Sequence, residues 1–215
     1  MNPPIPTPIY RIVHIDNLET LLRRGGLHAT NHTPIDGLPF RTIHNVSIQN
    51  VRQARSLPCG PGGTMHDYVP FYFGVLTPML LQLKTGRITG YNEGQEPIIY
   101  LKSSVQVVRE AGCGFVFSNG HGIAAFTEWF DNVERLDEVD WRIINERYWK
   151  DDVNDMDRQR RKQAEFLVHR FCPWALVREI GVQSREMQGR VEEVLGDIEP
   201  AMRPLVSVQR DWYYY

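Results

Sequence analysis

Cysteine is scarce in this chain, and the few present form no pattern. Cys59, Cys113 and Cys172 lie far apart and are odd in number, with no CxxC and no zinc spacing. That argues against a disulfide scaffold or a thiolate metal module, and points to a reducing, cytoplasmic setting. No apolar run approaches the ~20 residues that cross a bilayer. The opening MNPPIPTPIY has no basic n-region and no apolar core, so no signal peptide is expected there. An excess of one charge sign is also missing: 24 basic residues face 26 acidic ones, for a net charge of −2. The chain as a whole is therefore not a cationic nucleic-acid binder, and any anion site must be a local patch. Familiar motifs are absent too. There is no GxGxxG after a strand, no GxxxxGK[ST], no HExxH and no GxSxG. Any chemistry must come from scattered residues.

What is present reads as one mixed α+β domain over residues 1–215, with no internal repeat, linker or low-complexity block. Apolar content of 42% and charged content of 23% fit a globule with a real core. Alternating and β-branched runs predict strands at 9–15, 69–76, 96–104 and 114–119, around AEFLVHR, after CPWAL and over PLVSVQ. Helical spacing of Leu18, Leu21 and Leu22 predicts a helix from Asn17, capped by Asp16 or Asn17 and stopped by Gly25-Gly26. Further helices are expected over TPMLLQLKTG, SVQVVREAG, IAAFTEWFDNVERL, DEVDWRIINERYW and SREMQGRVEEVLGDI. Residues 27–67 differ: they are rich in Gly, Pro, Asn and His, with one short helix in NVSIQNVRQAR. A long irregular stretch inside a compact domain usually serves function.

Six sets of residues could carry chemistry. Glu165 lies between a cationic run, RRK, and the apolar Phe166-Leu167-Val168. It is either a strand glutamate paired with a nearby arginine or a carboxylate at the rim of a groove. His14, late in an apolar strand, is either a backbone-bonded core histidine or a holder of a ribose or phosphate. Arg52 and Arg55 share a helix face at i and i+3, where paired guanidinium groups could clamp phosphate; the alternative is a solvated face. His121 sits between glycines in SNGHG, a turn histidine or a group close to a ligand. Tyr72 and Met79 could form the apolar wall of a flat ring, or simply pack the core. Arg158, Arg160, Arg161 and Lys162 could meet a nucleic-acid backbone. They could equally balance Asp151, Asp152, Asp155 and Asp157 just before them.

Taken together and in order, IYRIVHIDNLETLLRRGGL, NVRQAR with PFYFGVLTPML, and SNGHG with RRKQAEFLVH resemble the DarT family. These are toxin DNA ADP-ribosyltransferases of bacterial toxin–antitoxin systems. The resemblance implies a bent, split mixed β-sheet with surrounding helices and an NAD cleft. It implies transfer of ADP-ribose from NAD+, the co-substrate, to a thymine base in single-stranded DNA, with release of nicotinamide and no metal. A DarG-like macrodomain antitoxin would be the protein partner, and the enzyme itself a monomer with no membrane association. The family's catalytic glutamate falls on Glu165 and its active-site arginine on Arg52, with Arg55 beside it. The NAD-holding histidine falls on His14, next to Ile15 and Asp16, and the loop histidine on His121. Tyr72 and Met79 would complete the cofactor site. Residues 36–53 would cover the NAD, and 121–165 would contact the substrate.

Two other readings are compatible with the residues. One is the same fold acting on protein or RNA. The other is a non-catalytic nucleic-acid-binding module in which Glu165 is structural. Aromatic residues such as Tyr72, Trp129 or Trp149 could stack on exposed bases in either nucleic-acid case.

Overall fold

Ten strands form two sheets in the computed structural model, which describes residues 2–215. The strands are β1 (Pro8–His14), β2 (Gly26–His28), β3 (Tyr68–Tyr72), β4 (Ile98–Ser104), β5 (Phe115–Ser118), β6 (Trp129–Phe130), β7 (Glu165–His169), β8 (Phe171–Pro173), β9 (Glu179–Val182) and β10 (Leu205–Val208). Seven α-helices accompany them: α1 (Leu18–Arg23), α2 (Val46–Ala54), α3 (Pro78–Lys84), α4 (Val105–Glu110), α5 (Trp141–Asn145), α6 (Arg158–Lys162) and α7 (Arg185–Val194). The main sheet runs β10-β9-β4-β1-β3-β7-β5-β6, and β2 pairs with β8 in a small second sheet. Only β9 and β10 run parallel; the other pairs are antiparallel.

The main sheet is split in the middle. β1 pairs with β4 over its whole length, from Pro8↔Ser104 to His14↔Ile98. Against β3 it makes a single paired position, Tyr10↔Tyr72. β3 in turn pairs along its length with β7, which sets Tyr72 opposite Glu165. Two well-paired slabs thus meet at a seam one rung wide, and the cleft opens there.

Strand alternation sorts the core. Ile9 and Val13 of β1 join the larger apolar cluster with Val69, Phe71, Phe117 and Phe166. Ile12 turns the other way, to a second cluster with Leu80, Ile98, Tyr100 and Tyr213. Several predicted helix starts are capped as their sequences suggest: Thr77 ahead of Pro78, Ser104 and Ser184 each accept an amide from the first turn. Asn17 precedes α1 but makes no side-chain cap. Its side chain instead holds the Arg41 backbone, donating to the carbonyl at 2.8 Å and accepting from the amide at 2.6 Å.

Three expectations are corrected. The predicted strand through 69–76 stops at Tyr72. Gly74 packs so tightly on the Ile144 carbonyl that a Cβ there would lie 2.7 Å from it, and Leu76 takes a left-handed φ of 55°. The helix predicted over 123–136 does not form. Asn119 and Glu128 bond each other, Thr127 Oγ1 donates to the His121 carbonyl at 2.7 Å, and β5 captures Trp129-Phe130 as β6. The helix predicted over 137–149 shortens to α5, because Lys162 Nζ takes the Ile144 and Glu146 carbonyls at 2.7 and 2.8 Å. Residues 151–162 were read as a charge run, and the basic end of it forms a one-turn helix, α6.

Candidate active site

A cavity of about 580 Å³ lies at the seam, within the usual size of a small-molecule site. Its floor comes from β1 and β3, its roof from 38–52, and one wall from His121, Gln159, Gln163 and Glu165. The roof is tied down at both ends. Arg24 forks onto Asp36 at 2.8 and 2.7 Å, Thr20 bonds the Pro39 carbonyl, and Asn17 grips Arg41. Asn45 caps α2, which delivers Arg52 into the cavity from its last turn.

Glu165 opens β7 and is 3% exposed. Its two carboxylate oxygens accept from Arg52 Nη1 at 3.0 and 2.8 Å. Gly122 donates its amide to Oε1 at 3.0 Å. A Cβ on Gly122 would crowd the same oxygen and the Met65 methyl, so this close approach needs glycine. From behind, the Glu165 amide donates to Ser118 Oγ at 3.1 Å, and Ser118 donates to the Gly120 carbonyl. The carboxylate is therefore fixed on three sides and faces the cavity. Arg52 is also buried, and its Nη2 has no partner among the described residues. A buried guanidinium N–H without an acceptor costs free energy unless a ligand supplies one.

His121 lines the wall. Its backbone is pinned by the Arg160 carbonyl and by Thr127. Burial pushes its imidazole below the ordinary value against the opposing pull of Glu165, so the ring is neutral near pH 7. Tyr72 and Met79 line the floor together, with the phenol donating to the Met79 sulfur at 3.7 Å. Burial, reinforced by Glu165, pushes the Tyr72 phenol well above its usual range, so it acts as a neutral donor. Glu165, Arg52, His121, Tyr72 and Met79, named from sequence, thus meet around one cavity.

Other named residues do not. His14 is buried beside the cavity rather than in its lining. Its Nδ1 accepts the Asp16 amide at 3.2 Å, and its Nε2 makes no hydrogen bond. Arg41 stands in front, bonded to Asp16 at 3.0 Å and to Glu93. Ile15 packs into the main core. Arg55 is not in the cavity lining; α2 ends at Ala54 and Arg55 is its C-cap, with an extended ψ of 104°.

The basic cluster is corrected most. Arg160 forks onto Asp157 at 2.6 and 2.7 Å and reaches Asn119 and Thr127. Arg161 is held by Asp140 and Asp155, and Arg158 by the Tyr148 carbonyl. Lys162 is 2% exposed, and burial pushes its ammonium down to about 8. These cations pin loops; Lys162 in particular cannot reach a phosphate backbone. Trp149 is likewise buried, donating to the Tyr214 hydroxyl at 2.8 Å, so it offers no face to a base.

Sequence reasoning missed Arg11, His44, Gln49 and His66, all in the cavity lining. For Arg11 a signal existed. It shares the alternation of Ile9 and Val13, so a charge interrupts the buried face of a strand. The histidines lie in irregular chain with no periodicity to place them.

The geometry can be set beside known proteins. The pattern of the family described as "ssDNA thymidine ADP-ribosyltransferase, DarT" matches residues 10–214. This chain belongs to the DarT family. A DNA ADP-ribosyl transferase of Thermus sp. (strain 2.9) is 44% identical over 211 residues, 98% of each chain. DarT of Thermus sp. 2.9 with ADP-ribosylated ssDNA superposes with a TM-score of 0.92 over 100% of this chain and 99% of that one, at 42% identity. The same protein with NAD+ superposes at 0.86, again at 42% identity, covering 99% and 100%. The fold is that of the DarT ADP-ribosyltransferases.

Proposed function

We propose that this chain transfers ADP-ribose from NAD+ to a thymine base of single-stranded DNA and releases nicotinamide. One observation carries the reading: a buried carboxylate, Glu165, fixed at the wall of a nucleotide-sized cavity in a chain of the DarT family. The DarT relative with NAD+ and with modified ssDNA supports both substrates.

Cleavage of the bond between ribose C1′ and the pyridine nitrogen sends the electron pair out with neutral nicotinamide. Positive character then grows on the sugar. Glu165 holds a ribose hydroxyl and stabilises that charge in a site from which most water is excluded. A thymine ring nitrogen attacks C1′ and gives up its proton, to Glu165 or to hydroxide. A new N-glycosidic bond replaces the old one. Arg52 stays protonated and is not the base. Its Nη1 orients the carboxylate, and its free Nη2 is the donor for negative charge growing on the thymine. Tyr72 and Met79 give the nicotinamide ring an apolar floor, and residues 36–53 cover the dinucleotide. The 121–165 segment meets the DNA. The target base must be unstacked, which favours single strands. A macrodomain antitoxin of the DarG kind would reverse the mark.

The test is incubation with NAD+ and a small set of oligonucleotides, read by mass. Thymine-containing single strands should gain one ADP-ribose; label on protein or RNA with DNA unchanged would overturn the DNA reading. Glu165→Gln should slow transfer by ~10²–10³ while binding of NAD+ stays near that of the unaltered protein.

A further inference from the structure

Arg24, Arg41 and Arg52 each enter the cavity with a carboxylate partner, respectively Asp36, Asp16 with Glu93, and Glu165. Arg11 enters without one. Its one protein acceptor among the described residues is the Pro70 carbonyl, 2.9 Å from Nη1, and its Nε is buried with no partner. The ionisable groups that bear on it are Arg52, Tyr72 and Cys172, none of them a carboxylate. Burial and the neighbouring Arg52 push its guanidinium down to about 10, so it still carries its charge at neutral pH. His44 stands close to Arg11, His66 and Arg52, and both imidazoles are lowered first by burial, with Arg11 and Arg52 adding to this at His44 and Arg52 at His66. They add no negative charge. This part of the cavity therefore holds two guanidinium groups against one carboxylate, with unfilled N–H donors on both. Buried charge in this state is costly until an anion completes it.

We propose that Arg11 is a binding residue for the diphosphate of NAD+, with the His44 part of the roof beside it as its setting. This rests on the NAD+-dependent reading above. The chemistry selects the group: the diphosphate is the only anionic part of the dinucleotide, and its ring nitrogen is cationic. A forked, permanently charged donor suits phosphate oxygens. Arg11 thus orients the substrate so that C1′ faces Glu165.

Calorimetry on the full chain tests this, with ADP-ribose, adenosine and a thymine oligonucleotide as separate probes. The unaltered protein is titrated first; failure to bind NAD+ at all would defeat the parent reading, not only this one. Arg11→Met should weaken ADP-ribose at least tenfold and leave adenosine and oligonucleotide affinities unchanged, and Arg11→Lys should recover part of the loss. Unchanged ADP-ribose binding in Arg11→Met overturns the proposal. So does an equal loss for all three probes, which would mark a structural arginine. Should Arg11→Met fail to fold, the unaltered protein decides: inorganic pyrophosphate should compete with ADP-ribose, and absence of competition overturns the assignment.

Discussion

Glu165 and Arg52 are separated by 113 positions in sequence and share one buried hydrogen-bonded pair. A pair of this kind is not in itself stabilising, because taking two charges out of water offsets their attraction. Its value here is placement. Both carboxylate oxygens lean on one nitrogen, Nη1, which leaves the second arm of the fork open. A lysine would keep the charge and lose that second arm. Arg52→Lys should therefore transfer ADP-ribose well below the unaltered rate, and equal rates in a single-turnover assay would rule out a geometric role. Glu165 was legible in the sequence because an acid stood at the start of an apolar strand. Arg52 was legible through its helix, whereas Arg55 was read one residue too far along it. Arg11 could be seen only as an oddity on a buried face. His44 and His66 were hidden, since irregular chain carries no period from which to place a side chain.

At the scale of elements, α6 shapes how the Glu165 strand is approached. Its arginines hold the 119–128 turn on one side and the 148–158 stretch on the other, while Gln159 and Gln163 line the cavity between them. The turn carries an outward Phe126, 86% exposed, and the other stretch an outward Tyr148, 80% exposed. A run of four cations in five residues suggested nucleic acid; structure shows the three arginines beside aspartates and Lys162 buried on two backbone carbonyls. Charge composition was visible in the sequence, but its pairing depends on a turn that only the folded chain reveals. The missed β6 has a similar cause. Ala124, Ala125, Glu128, Glu134 and Arg135 suit a helix by composition, whereas Trp129 and Phe130 suit a strand, and pairing with β5 captured them. Lys162→Met should lower Tm, because two buried carbonyls lose their donor at a cost of ~1–3 kcal/mol each. It should leave the salt dependence of DNA affinity unaltered. A shallower slope would mean that Lys162 touches phosphate after all.

For the molecule as a whole, the regular strands were the readable part. β1, β4, β5, β7, β9 and β10 all carry apolar, β-branched or aromatic runs from which a strand can be predicted, and the resemblance supplied the way they assemble. Stability should also carry a mark of the site. Burial holds His14, His44, His66 and His121 below the ordinary imidazole value. The unfolded chain takes up protons near ~6.5, while the folded chain resists until lower pH. In that window the unfolded state binds more protons, so stability is full above it and declines as pH drops through the folded values. Tm should fall between about pH 7 and about pH 5. A flat profile across that range would show that these rings titrate freely.

The seam between β1 and β3 has a consequence for turnover. One rung, Tyr10 with Tyr72, joins slabs that are otherwise continuously paired. Parting them by a small angle breaks little ladder, and the strain falls on the larger apolar cluster, to which both slabs contribute. A DNA strand bearing a fresh ADP-ribose is bulkier than either reactant that entered, and it must depart through the same mouth. A sheet laced loosely along that line can gape for its exit and close again without unravelling.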